Sequence, residues 1–366
     1  MSSVSLPQRS WRTVIGALSI MLLSLLAIPS DAEARSPEPT VLRGKMLTEV
    51  DELGNATTTI RFKPNVQLYT MLKQSNVNTS VLLRQLGMTT GWGELEDLQG
   101  KFLDTEHTIE ISFRQIGVCR EVGTGRWVMP KVRWTSDQVV ASYDREIIMN
   151  SVMSSPMGFA SMVSVVRCPE GAGEIVLNDA RHQLQFDYEP VVESGDDGPE
   201  IDLQVETKRH LMSSLAKSYS NEEFGHMWTA RSVMVNRGDA PLEDFRIRFR
   251  VGDLSSWSTW HKTHRVYPGQ SVVDPFFPVF DLNKLAAMDS SRPVMIQVEY
   301  GYRDADGRRV TETESLSVDI LARNEAVFSN LPKEDCLTFE DRFENIAPLI
   351  ASMTTPTDPV IQQWVA

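Results

Sequence analysis

The chain is poor in cysteine, carries no excess of basic residues and, beyond its first 34 positions, has no apolar run long enough to span a bilayer. It has three cysteines in 366 residues. None stands in a Cys-x-x-Cys pair, which excludes a zinc or dithiol redox centre built on that spacing. A formal net charge of -13 excludes general nucleic-acid binding, which needs a basic footprint to neutralise phosphates. It also argues against an anionic membrane surface as partner, and an acidic surface of this kind mainly confers solubility. No sequence motif calls for a cofactor.

What is present begins with a leader. Arg9 and Arg12 form a basic start, an apolar run extends from Val14 to Ile28, and Pro29 leads into Ala32-Glu33-Ala34. That is the order of a cleavable secretory signal peptide over residues 1–34, with the cut near Ala34. A run of this length rises about 22 Å as a helix, short of the ~30 Å hydrocarbon core, so cleavage is favoured over anchoring. The expectation is an extracytoplasmic protein, periplasmic or secreted, with no membrane span after cleavage. The remainder is long enough for two domains with separate cores.

The acidic, glycine- and proline-bearing stretch VVESGDDGPE supplies a boundary. The expected layout is an α+β domain over 35–190, an acidic linker over 191–204, an antiparallel immunoglobulin-like β-sandwich over 205–323 and a helical tail over 324–366, mainly β overall. In the first domain, Val66, Leu68, Met71 and Leu72 fall at helical spacing within a helix predicted over 66–86. Strands are predicted at 57–62, 108–116, 126–132, 138–142, 160–167 and 183–188. The last two are expected to pair across Pro169–Gly173. In the second domain, Phe245, Ile247, Phe249 and Val251 alternate with Arg246, Arg248 and Arg250, the period-two pattern of a half-exposed strand. Residues 294–302 and 310–320 bracket Asp304-Ala305-Asp306-Gly307, where Asp-Gly suits a hairpin turn.

Several segments resemble the region that precedes the transglutaminase-like domain in large exported bacterial proteins: MVNRGDAPLEDFRIRFRVGD (234–253), VYPGQSVVDPFFPVFDL (266–282), VMIQVEYGYRDADGRRVTETESLSVDILARN (294–324) and TTPTDPVIQQ (354–363). The resemblance implies a sandwich akin to the CARDB-type (cell-adhesion-related) fold and an accessory role. The catalytic core of that family would begin where this chain ends, so no catalytic residue carries over. The implied function is a non-catalytic, envelope-associated interaction or accessory module.

Two alternatives are weighed against it. The first is a divergent transglutaminase- or cysteine-protease-related enzyme. Cys168 precedes His226-Met227-Trp228, a nucleophile-and-base grouping. But a reactive cysteine usually wants a helix N-terminus or cationic neighbours to lower its pKa, whereas Cys168 follows a strand and abuts Pro169. Cys119 and Cys168 leave open a disulfide or two buried thiols, with Cys336 as the third cysteine. The second alternative is a β-sandwich that binds a peptide or glycan, using Arg246, Arg248 and Arg250 on one face with Trp257 and Trp260 as a stacking platform. Against it, Glu299, Glu312 and Glu314 are placed to neutralise the arginines, whose row Arg231 and Arg237 would extend. His261 and His264, three apart on a strand, would face opposite ways and make no metal pair. Asp304 and Asp306 lack the closing glutamate of a calcium loop. The partners left in view are an envelope protein, a peptide or a glycan.

Overall fold

The computed structural model describes residues 40–74 and 95–325, apart from 131, 133, 156–157, 192–194, 196–197, 223–226, 305–306 and 324. The leader, the second part of the helix predicted over 66–86, His226, Cys336 and the tail after 325 lie outside the described residues.

The described chain is mostly β, with several antiparallel sheets. Its first half contributes β1 (Thr40–Val50), β2 (Ala56–Lys63), β3 (Leu95–Leu103), β4 (Thr108–Gln115), β5 (Arg120–Gly123), β6 (Arg126–Met129), β7 (Val139–Tyr143), β8 (Glu146–Ser155), β9 (Gly158–Arg167), β10 (Val176–Asn178) and β11 (Gln183–Asp187). These strands build a seven-stranded sheet, β3-β4-β2-β1-β9-β8-β7, and a four-stranded one, β10-β11-β6-β5. The helix Val66–Gln74 packs on the first sheet through Tyr69, which meets Phe102 edge-on with ring centroids 5.7 Å apart. A second core cluster, centred on Trp127, Met129, Ile147, Val166, Leu184 and Phe186, draws on both sheets.

One predicted pairing is corrected. The strands at 160–167 and 183–188 do form, but β9 pairs with β8 and, in parallel, with β1, whereas β11 pairs with β10 and β6. Parallel pairing of β1 with β9 joins residues more than a hundred apart, which local pattern cannot register.

The second half contributes β12 (Ile201–Thr207), β13 (His210–Met212), β14 (Ala230–Asn236), β15 (Leu242–Val251), β16 (His261–Val266), β17 (Ser271–Phe276), β18 (Arg292–Arg303) and β19 (Arg309–Leu321). They form a three-stranded sheet, β12-β14-β17, and a five-stranded one, β13-β19-β18-β15-β16. β12 starts inside the 191–204 segment read as linker. The two sheets share one core, and Phe249 of β15 stacks on Phe276 of β17 at 5.2 Å. Alternation on β15 decides its orientation: Phe245, Ile247, Phe249 and Val251 are almost fully buried. Each such side chain contributes roughly 1.5–3 kcal/mol by leaving water. β18 and β19 form the predicted hairpin, closed by Gly307 at φ 74° with its N–H donating to the Asp304 carbonyl at 2.9 Å. No helix among the described residues is long and apolar enough to cross a membrane.

Candidate functional site

The arginines of β15 and the two tryptophans after it come together as a ladder. The chain turns after Val251, and Ser258 returns alongside β15: its N–H donates to the Phe249 carbonyl at 2.8 Å, and its hydroxyl accepts from the Phe249 N–H at 3.1 Å. Trp257 and Trp260 therefore lie on the same outward face as the arginines. Arg246 and Arg248 stand over Trp260 at 4.3 and 4.4 Å, and Arg248 and Arg250 over Trp257 at 4.6 and 4.8 Å. Each cation–π contact of this kind contributes about 0.5–1 kcal/mol where solvent has access, more where it is excluded.

The neutralising acids distribute unequally. Arg248 pairs with Glu299 at 2.8 Å, and Arg250 donates to Gln297. Glu312 and Glu314 sit opposite Tyr300 and Val298 in register, on the other face of β19, and Glu312 accepts from the Tyr300 hydroxyl at 2.5 Å. Arg231 and Arg237 belong to the other sheet, where they pair with Glu206 and Asp202. Arg246 is left with no carboxylate within ion-pair distance among the described residues, and its Nε has no acceptor. Burial first, then the neighbouring charge of Arg309, lowers its pKa. Lys262 stands directly across from it on β16. Gly301 is its partner on β18, where a Cβ would come within 2.8 Å of the Val310 carbonyl oxygen and only touch Arg246 Nε at 3.5 Å.

No protein-family model matches the chain, and no curated protein matches it. Geometry alone is left to assign roles.

Cys119 and Cys168 are both buried, as free thiols, in one core cluster. Burial pushes the Cys119 thiol well up, and the Cys168 thiol up to about 12. His261 and His264 lie on β16. His261 Nδ1 is 3.1 Å from Asp274, and His264 Nε2 is 3.1 Å from the Thr124 hydroxyl. Among the described residues no group of three or more His, Cys, Asp or Glu is placed to hold a metal ion.

Sequence reasoning missed a buried charge network joining the two halves. Glu121 is fully buried; it accepts from Arg265 Nε at 2.9 Å and Nη2 at 2.7 Å, from the Tyr267 hydroxyl at 3.2 Å and from the Gly125 N–H at 2.6 Å. Its chain neighbour Arg120 crosses the other way to Asp274 at 2.7 Å. One available signal was Asp274 itself, a lone acid inside the apolar run SVVDPFF, which needs a cationic partner once buried. Burial would raise its pKa, but Arg120 and His261 overcome that and hold Asp274 well below the usual carboxylate range.

A carboxyl whose folded pKa is depressed lends stability that is fully present above its unfolded value of about 3.9 and disappears as pH falls through the folded value. The stability gap between the wild type and Asp274→Asn should thus be wide at neutral pH and shrink once the pH drops below about 4. Thermal melts across that range check this. A gap that stayed constant would mean Asp274 does not titrate as the ion pair requires.

Proposed function

We propose that the mature chain is an extracytoplasmic, non-catalytic interaction module, an accessory region of the type that precedes transglutaminase-like domains, and that it docks an acidic peptide segment of an envelope protein on its arginine–tryptophan ladder. The observation that carries this reading is the cationic corner of the ladder. Arg246 and Arg309, with Lys262 beside them, make no ion pair with any described carboxylate, although the chain as a whole is strongly acidic. The indoles hold the guanidinium planes in place, so their edges are preorganised to receive carboxylates at little entropic cost. Burial of Cys119 and Cys168, with thiol pKa values raised, favours this reading over a cysteine enzyme, because the thiolate is the nucleophile.

The test titrates a labelled oligoglutamate peptide into the purified chain and, in parallel, treats the native chain with a thiol-reactive probe. Saturable binding that weakens with added salt is expected, falling roughly tenfold in Arg246→Ala, the equivalent of one charge-assisted contact. Binding equal in wild type and Arg246→Ala would remove the ladder from consideration. Fast, selective labelling of Cys119 or Cys168 at neutral pH would overturn the non-catalytic assignment.

A further inference from the structure

The outer face of the four-stranded sheet carries a second set of cations that are unpaired among the described residues, remote in sequence from the ladder. On β6 and β11, Trp127, Met129, Leu184 and Phe186 point into the core. Alternation then turns Arg126, Val128, Gln183 and Gln185 to the opposite face. Register sets Gln185 beside Val128, and Asn178 of β10 beside Gln183. Arg181 joins them from the β10–β11 turn, which Asn178 braces by accepting the Arg181 N–H at 3.2 Å. Together these residues line an open hollow of about 510 Å³.

Among the described residues, neither Arg126 nor Arg181 has a carboxylate within ion-pair distance. The two nearest acids in sequence or register do not neutralise them. Asp179 accepts from the Ser136 N–H at 2.9 Å and from its hydroxyl at 2.5 Å, and Asp187 faces Arg126 across the strands without pairing. In a chain with 49 acids against 36 basic residues, two exposed guanidinium groups left over one hollow call for an anion from outside.

We infer that this hollow binds an acidic saccharide, with Arg126 and Arg181 holding a sugar carboxylate. Three features of the site select that chemistry. Arginine pairs match planar carboxylates by forked hydrogen bonds. The amides of Gln183, Gln185 and Asn178 each donate and accept, as sugar hydroxyls do, and buried Val128 offers an apolar floor to a C–H face. The volume lies in the range of small-ligand sites, enough for one or two sugar rings. A peptide is the poorer fit, because the hollow has no row of indoles and guanidinium groups like the ladder's, and its three amides offer paired donors and acceptors instead. The inference is independent of the ladder.

The experiment titrates digalacturonate into the purified chain by calorimetry, with maltose as the neutral comparator and oligoglutamate as the acidic peptide comparator. Saturable binding of digalacturonate is expected, weakened roughly tenfold or more in the Arg126→Ala/Arg181→Ala double variant and unchanged in Arg246→Ala. Both substituted side chains are exposed, so folding is not at risk, and a melting curve verifies it. The inference is overturned by absence of saturable binding at millimolar ligand, by equal binding of maltose, by digalacturonate binding that survives the double variant, or by oligoglutamate competing at this site as well as the sugar acid. Loss of digalacturonate binding in Arg246→Ala would also overturn it, by moving the site to the ladder.

Discussion

Replacing Glu121 with alanine is expected to destabilise the folded chain by about 3–5 kcal/mol, the range for removing one partner of a buried ion pair. The Glu121 side chain is wholly inaccessible and accepts from a guanidinium, a phenol and a backbone N–H. Its removal leaves the Arg265 charge with only the exposed Glu189, 3.9 Å away, and Tyr267 loses the acceptor of its hydroxyl. Arg265 is about a fifth exposed, and water reaching it there places the expected cost toward the lower end of the range. Chemical denaturation measures the effect. Joint replacement of Glu121 and Arg265 by methionine should recover much of the loss, because no orphaned charge remains. A single substitution costing less than about 1 kcal/mol would mean that the carboxylate is solvated and the network is not built as described. Since the pair joins strands from both halves, Glu121→Ala is also expected to broaden or split a unfolding transition that is single in the wild type.

Trp127→Ala is the second large effect, about 3–5 kcal/mol, from lost burial and the cavity left behind. The indole is almost fully buried and lies nearly parallel to Phe186 at 6.4 Å and to Tyr267 at 6.0 Å. Its N–H donates to the Tyr188 carbonyl at 3.0 Å. Tyr267 comes from the second half of the chain, so the same truncation empties the first core and loosens its contact with the second. Trp127→Phe keeps most of the stacking and forfeits the hydrogen bond, and a cost of about 1–2 kcal/mol is expected from it. Equal costs for the two substitutions would assign the effect to the hydrogen bond rather than to packing. Thermal or urea unfolding of both variants decides it.

How much could be read in advance differs element by element. β15 was legible because Phe245 to Val251 alternate without interruption, and the β18–β19 hairpin because two long strands flank an Asp-Gly turn. Both depend on contacts between near neighbours. The ladder was half legible. Its five residues were all candidates, but arginines at offset two and tryptophans at offset three do not disclose that the chain folds back at Ser258 and slots indoles between guanidinium groups. Glu299 was correctly weighed as a partner for the arginine row, whereas Glu312 and Glu314 fall on the other face. A one-residue change in register would have reversed that outcome.

Composition and local period, by themselves, determined that this chain is mainly β, that its second half alternates around an aromatic and aliphatic core, and that the face of β15 away from that core carries arginine. Those properties follow from side-chain chemistry repeated at a fixed spacing, and each needs only a strand to express it. Tertiary structure alone decided which charges are spent and which remain free. Arg248 is consumed by Glu299 and Arg265 by Glu121, while Arg246, Arg126 and Arg181 are left open among the described residues, although nothing in their immediate sequence separates the two groups. An ion pair is a matter of a few ångströms between residues as much as 154 positions apart, and that distance is set by sheet register and by the packing of one half on the other.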